Sequence, residues 1–361
     1  MSKSKMIDNV TRSNRRWTLG YLISAVVLFG IYQFLLPWPN IPEGLYNFIY
    51  TWFPPLAINE SLVYVIMALG LNVVVGYAGL LDLGYVAFWA IGGYCCGWFM
   101  SEFLYFLNFH FLGSVTQDRP GIHINFWFVL VIGGFVCALF GILIGAPTLR
   151  LKSDYLALVT LGFGEIIPQV FYNGENFFGF NISNGTKGIV IVDPVPMGVK
   201  NLGPFDFGWK LLIFVFLTAF MVFVSLRLRK GRLGRAWLAI REDELAASMM
   251  GVPLMRTKLA SYAVGAFAGG VGGVAFATHI NGVYAERFNF TISIFLLAMV
   301  VMGGMGNVWG VILSAFILSW VNGTGLPAFG NTFNEKFGTQ IDFPSFAFLI
   351  FGLVLILMML F

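Results

Sequence analysis

The run Leu211-Leu-Ile-Phe-Val-Phe-Leu-Thr-Ala-Phe-Met-Val-Phe-Val-Ser-Leu226 carries no charge, and the next four residues, Arg227-Leu-Arg-Lys230, carry three. An apolar stretch closed by a basic cluster is the pattern of a membrane-spanning helix stopped at a positively charged face. Including this span, read as 211–228, ten such runs recur: 17–36, 56–75, 84–107, 124–148, 154–171, 211–228, 258–280, 290–303, 307–322 and 343–361. The runs at 154–171 and 290–303 are the weakest, being short or interrupted. Composition agrees: of 361 residues, 58% are hydrophobic and 11% charged, against about 25% charged in soluble domains. The 17% aromatic share and 43 glycines suit interfacial rings and close helix packing. The fold class expected is all-α, a polytopic membrane protein with about ten transmembrane helices in one domain over 1–361.

Ten alternating spans place Lys3, Lys5, Arg12, Arg15, Arg16, Arg150, Lys152, Arg227, Arg229, Lys230, Arg232, Arg235, Arg241, Arg256 and Lys258 on one side. Only Arg119, Lys187, Lys200, Lys210, Arg287 and Lys336 fall opposite. Cytoplasmic loops are enriched in Lys and Arg, so both termini are expected in the cytoplasm, including a basic tail over 1–16. The tail runs into a full-length apolar stretch and does not read as a cleavable signal. The last run ends at Phe361 without a polar flank, and the natural chain is expected to continue. Residues 172–210 form the longest outer loop, dense in turn residues such as Asn181-Ile-Ser-Asn-Gly185 and Asp193-Pro-Val-Pro196. The net charge of +4 is confined to span ends, which excludes a nucleic-acid reader. Cys95, Cys96 and Cys137 lie in apolar runs and read as buried hydrophobes.

The cytoplasmic segment 227–258 holds the densest chemistry. Gly234-Arg-Ala-Trp-Leu-Ala-Ile-Arg-Glu-Asp-Glu-Leu-Ala-Ala-Ser-Met-Met-Gly251-Val-Pro253 is expected as one short helix, with Gly251 its left-handed cap and Pro253 barring continuation. Arg241, Glu242, Asp243 and Glu244 cover a whole turn with charge, so the helix is no simple interfacial anchor. Trp237, Leu238, Ile240, Leu245, Met249 and Met250 are too apolar for a solvated linker that only sets topology. Both features together suit a partner's groove.

Here a resemblance enters. Glu244-Leu-Ala246-Ala247 followed by Gly251 resembles the Glu-Ala-Ala…Gly cytoplasmic motif of ATP-driven importer permeases. The wider stretch is similar to the high-affinity branched-chain amino acid permeases of the LivM type. Gly70-Leu-Asn-Val-Val-Val-Gly-Tyr-Ala-Gly79, Leu151 through Glu165, Asn184-Gly-Thr-Lys-Gly188 and Val301-Met-Gly-Gly-Met-Gly306 resemble that family in order, covering about residues 55–361. Asp82 and Tyr85 depart from it, since the family often has a small polar residue and a histidine there. The resemblance implies a helix count like that of type II importers and an importer subunit for Leu, Ile and Val or related amino acids. It implies a second, LivH-type permease as heterodimer partner, two ATPase subunits, an extracytoplasmic binding protein and surrounding lipid. It places ATPase coupling in residues 229–257, on Arg235, Arg241, Glu242, Asp243, Glu244, Ala246, Ala247 and Gly251. Glu244→Lys and Gly251→Leu are expected to leave the fold intact and uncouple hydrolysis from uptake. The chain lacks a Walker-type Gly-x-x-x-x-Gly-Lys-Ser/Thr, so hydrolysis must come from another chain. No catalytic residue, metal or cofactor is expected.

Polar residues within apolar runs are functional candidates, because burying them costs free energy. Asn72, Gly76, Asp82, Glu165, Gly303 and Gly306 are candidates for the translocation pathway. For Asp82 and Glu165 the competing reading is a structural carboxylate, with Glu165 bonded to backbone donors freed near Pro168. Asp154 reads as a helix N-cap. Gly76-Tyr-Ala-Gly79 and Gly303-Gly-Met-Gly306 read as helix C-caps or as re-entrant turns. His110, His123 and His279 stand alone, without metal-ligand spacing. A urea or short-amide importer is the nearest alternative. An ion-coupled secondary transporter is the more distant one, since it needs more titratable residues than Asp82 and Glu165 supply.

Overall fold

The computed structural model describes residues 17–35 (less 19, 22 and 25), 42–151, 153–197, 200–203 and 206–360. The expected basic tail 1–16 and Lys152 lie outside the described residues. The described residues between 17 and 30 are helical and lead into a π turn, Ile31–Leu35. Then follow α1 (Glu43–Trp52), α2 (Pro55–Leu71, prolonged by a π turn Asn72–Tyr77), α3 (Val86–Phe99), α4 (Phe126–Thr148) and α5 (Ser153–Tyr172). After the long loop come α6 (Phe207–Lys230), α7 (Arg232–Glu242), α8 (Glu244–Met249) and α9 (Leu254–Ile280). The chain closes with α10 (Phe290–Met302), α11 (Val308–Trp320), α12 (Leu326–Phe337) and α13 (Ala347–Leu360).

Seven described helical runs are long and apolar enough to cross a membrane. Val86–Phe99 and Phe343–Leu353 are shorter apolar helices, and each of the ten expected spans overlaps helix among the described residues. The bounds differ in places. The span expected over 84–107 ends at Phe99, where Met100–Ser101 turns into strand and pairs with Gly121–Ile124. The span expected to stop at 322 continues through a π turn, Val321–Gly325, to Phe337. Both weak runs, 154–171 and 290–303, are unbroken helix. Asp154, expected as an N-cap, falls one residue inside α5.

α9 is the central post. It packs on α2, α3 and α4, and its small residues let backbones touch. A Cβ on Gly92 would come 2.4 Å from the Gly270 carbonyl oxygen, so α3 and α9 cross where neither can carry a larger side chain. At the end opposite α7 and α8, short strands hold the loops. Asn108–Phe111 pairs parallel with Gly121–Ile124, and Ile189–Val190 pairs with Gly282–Val283. There His123 Nδ1 donates to Asp193 Oδ2 at 2.8 Å, with both side chains buried. The Asp193 N–H donates to the Met100 carbonyl at 2.8 Å. The pair fastens the long loop to the small sheet, so His123, expected to stand alone, has a partner.

Candidate coupling site

α6 ends where the Gly231 N–H reaches the carbonyls of Arg227 and Leu228, and α7 starts at once. Gly234, Trp237 and Ile240 form its buried face at three-residue spacing. The Trp237 indole N–H donates to the Thr257 carbonyl at 2.8 Å, which pins α7 to the start of α9. The expected single helix over 234–251 is not observed. The chain breaks at Asp243, whose backbone is extended (φ −155°, ψ 110°) and whose carboxylate accepts the Ala246 N–H at 3.0 Å. An aspartate is a strong N-cap, and here it starts a separate helix, α8. The expected cap at Gly251 is present. Gly251 has φ +83°; its N–H bonds the Ser248 carbonyl at 3.0 Å, and the Val252 N–H bonds the Ala247 carbonyl at 3.1 Å. That pair of hydrogen bonds is the Schellman closure.

Arg241 leaves the end of α7 and enters the bundle. Its Nη1 donates to the Gly76 carbonyl at 2.6 Å and to the Met305 carbonyl at 3.4 Å. The Gly306 N–H donates to Asn72 Oδ1 at 2.8 Å. A Cβ on Gly76 would sit 2.0 Å from Asn72 Oδ1 and 2.5 Å from the Gly306 nitrogen, so only glycine permits this contact. The structure thus joins Asn72, Gly76, Gly306 and Arg241 in one cluster between α7, the end of α2 and the α10–α11 turn. Both turns carry left-handed glycines, Gly79 at φ +69° and Gly304 at φ +84°, in agreement with the C-cap reading. Gly303 lies apart, its carbonyl oxygen 1.9 Å from where Gly310 would carry a Cβ, at the crossing of α10 and α11.

The remaining coupling candidates divide by exposure. Glu244 Oε1 meets Lys258 Nζ at 2.6 Å. The lysine is nearly buried and the glutamate half exposed, so this is a strut from α8 to α9. Sequence reasoning did not single out Lys258, or Met305 with its carbonyl. Trp237, Ile240 and Ala247 face the protein's own core and are unavailable to a partner. Leu245, Met249 and Met250 are 69%, 79% and 85% exposed, beside exposed Ala246, Arg235, Glu242 and Asp243. The result is a small apolar knob with a charged rim, mounted on a clamp that grips two turns of the bundle.

Two carboxylates remain. Asp82 is buried in the turn before α3; its Oδ1 accepts the Gly84 N–H at 2.9 Å, and Oδ2 has no partner among the described residues. Glu165 is exposed on α5 and has no partner among the described residues. A charge left to hydrocarbon there costs roughly 2.5–3.5 kcal/mol on insertion scales. The expectation that freed backbone donors satisfy it fails on chemistry. Pro168 deprives the Gly164 carbonyl of its helical donor, and a carbonyl cannot bond a carboxylate.

A family model described as the permease component of the branched-chain amino acid transport system matches residues 56–359. The chain belongs to that permease family. Among curated relatives, the high-affinity branched-chain amino acid permease LivM of Escherichia coli is 39% identical over 279 residues, 72% of this chain. The chain spans only 60% of the length of that relative. A probable LivM of Methanocaldococcus jannaschii is 25% identical over 82% of this chain and 88% of its own. An autoinducer 2 import permease, LsrC of an Enterobacter species, is 25% identical over 62% of each. No solved structure matches the chain. The permease match takes in the clamp, both glycine turns, the knob and Glu165, and leaves residues 17–55 outside it.

Proposed function

We propose that this chain is the transmembrane subunit of an ATP-driven importer that moves leucine, isoleucine and valine inward by alternating access. It sits in the cytoplasmic membrane of a prokaryote with both termini inside. A LivH-type permease completes the pathway, two ATPase subunits sit on the cytoplasmic face, and an extracytoplasmic binding protein delivers substrate. Residues 229–257 are the coupling segment, and the knob of Leu245, Met249 and Met250 seats in an ATPase groove. The observation that carries this reading is the clamp: Arg241 bonds the carbonyls of Gly76 and Met305, so displacement of α7 is felt at two membrane turns at once. A charge-assisted bond is short and strong enough to transmit such a shift. Asn72, Gly76 and Gly306 act in this transmission, Gly303 in helix crossing, and Asp82 and Glu165 at the pathway.

The test is reconstitution with the second permease, both ATPases and the binding protein in liposomes. ATP-dependent leucine uptake is expected. Uptake of urea or short amides in place of leucine replaces the substrate assignment, and transport by this chain alone replaces the mechanism.

A further inference from the structure

Glu165 and Gln169 on α5, and Asn173 in the turn that closes it with its N–H bonded to the Gln169 carbonyl at 3.0 Å, stand at four-residue intervals, which puts them in one stripe. All three are exposed. They line an open groove of about 400 Å³ with Ile166, Val170 and Phe177. The stripe points away from the bundle, because α5 packs by its other face. A Cβ on Gly164 would come 2.9 Å from the Gly84 Cα, and Phe171 stacks on Tyr94 with ring centroids 3.9 Å apart. Glu165 is twelve residues past Ser153, about 18 Å along the helix axis, well within a hydrocarbon layer roughly 30 Å thick. A free carboxylate at that depth requires water or another protein beside it.

We propose that this stripe lines the aqueous substrate pathway between the two permease subunits, and that Glu165 receives the ammonium group of the passing amino acid. The inference rests on the proposed function and names the substrate group that Glu165 meets. The chemistry fits a small zwitterion with an aliphatic side chain. A carboxylate attracts the ammonium group and repels anions. The Gln169 amide offers both a donor and an acceptor, for the substrate carboxylate and for water. Ile166, Val170 and Phe177 supply apolar wall for a branched side chain.

Two measurements on the assembled importer in liposomes test it. In the first, Gln169→Cys is treated with a charged maleimide; Cys95, Cys96 and Cys137 are buried and contribute little background. Labelling from water, with slower uptake afterwards, is expected. Failure to label in the full complex overturns the placement, because the stripe is then sealed by lipid or by protein. In the second, Glu165→Gln, which keeps the side chain's shape, is expected to lower leucine uptake about tenfold with ATPase activity retained. Glu165→Asp is expected to recover part of the loss. Unchanged uptake in Glu165→Gln overturns the ammonium role. Wild-type leucine uptake reports on the proposed function separately. If wild type carries no leucine, the labelling of Gln169→Cys still decides whether the stripe meets water.

Discussion

The two ends of the bundle are fastened by different chemistry. At the α7 end a permanent cation, Arg241, holds neutral carbonyls of two turns and stands beside an exposed knob. At the strand-bearing end an imidazole–carboxyl pair, His123 and Asp193, is sealed inside and ties loop to sheet. A half-solvated clamp on backbone oxygens shifts without leaving a charge stranded. A buried pair does not, because losing one member leaves the other uncompensated. The first arrangement suits motion and the second suits a fixed frame.

This contrast makes its largest claim at His123. His123→Ala abandons Asp193 in a buried site, and breaking a buried pair costs roughly 3–5 kcal/mol. A large drop in the melting temperature of the purified chain is expected, with normal ATPase activity in whatever complex assembles. An unchanged melting temperature refutes the structural role; a selective loss of ATPase stimulation erases the distinction between the ends. Arg241→Ala should do the reverse. Losing a hydrogen bond to a charged group costs about 1.5–3 kcal/mol, here spent on the link between moving parts. Uptake is expected to fall at least about tenfold, with little change in melting temperature. Glu244→Lys should resemble it in kind with a smaller effect. The substitution sets two ammonium groups against each other at Lys258, so α8 loosens from α9, which faster amide exchange over 244–250 would report.

Smaller again is the effect of Gly251. The residue has φ +83° with nothing within 4 Å of a Cβ built there, so a side chain fits sterically and strains only the backbone. Left-handed geometry costs a non-glycine residue about 1–2 kcal/mol. Gly251→Leu is expected to reduce uptake severalfold and Gly251→Asn less, because asparagine tolerates this conformation. Equal losses in both would mean that a partner, not the turn, excludes a side chain there.

Much of this was legible in the sequence, for identifiable reasons. Hydropathy located the apolar helices, seven of them long and apolar enough among the described residues to cross a membrane, because the bilayer demands a long apolar run of each. It missed α1 and α12, where Glu43 and Asn47, or Asn331 and Glu335, break the apolar run while helical spacing persists. The break at Asp243 had a signal, since aspartate three residues before Ala246 is an N-cap pattern, but the apolar and charged residues around it read equally well as one helix. The clamp had none. Asn72 and Gly306 are 234 residues apart, and Arg241 reaches Gly76 across 165. Glycines in two separate motifs do not announce that they touch. For Glu165, the pattern marked the residue while its outward orientation depended on which face of α5 the glycine contact with Gly84 turned inward.

The smallest expected effect is pH dependence, and it separates the ends most cleanly. Burial pushes the Asp193 carboxyl up from its ordinary value, and the His123 hydrogen bond and charge, with Arg119, offset this only in part; Glu102 adds to the rise. The folded state therefore holds this proton to a higher pH than the unfolded chain, whose carboxyl titrates near 3.9. In that window the folded state binds more protons, so Asp193 contributes stability below about pH 4 that is lost as pH rises through the folded value. The amide introduced by Asp193→Asn has no such proton to lose. Wild type should therefore gain melting temperature on Asp193→Asn as pH falls toward the unfolded carboxyl's value near 3.9. The Arg241 clamp closes on backbone carbonyls, which carry no proton to lose. The melting-temperature difference between wild type and Arg241→Ala should then be flat over the same pH range. A slope there as steep as the one at Asp193 would mean that the two ends are not chemically distinct in the way their bonds imply.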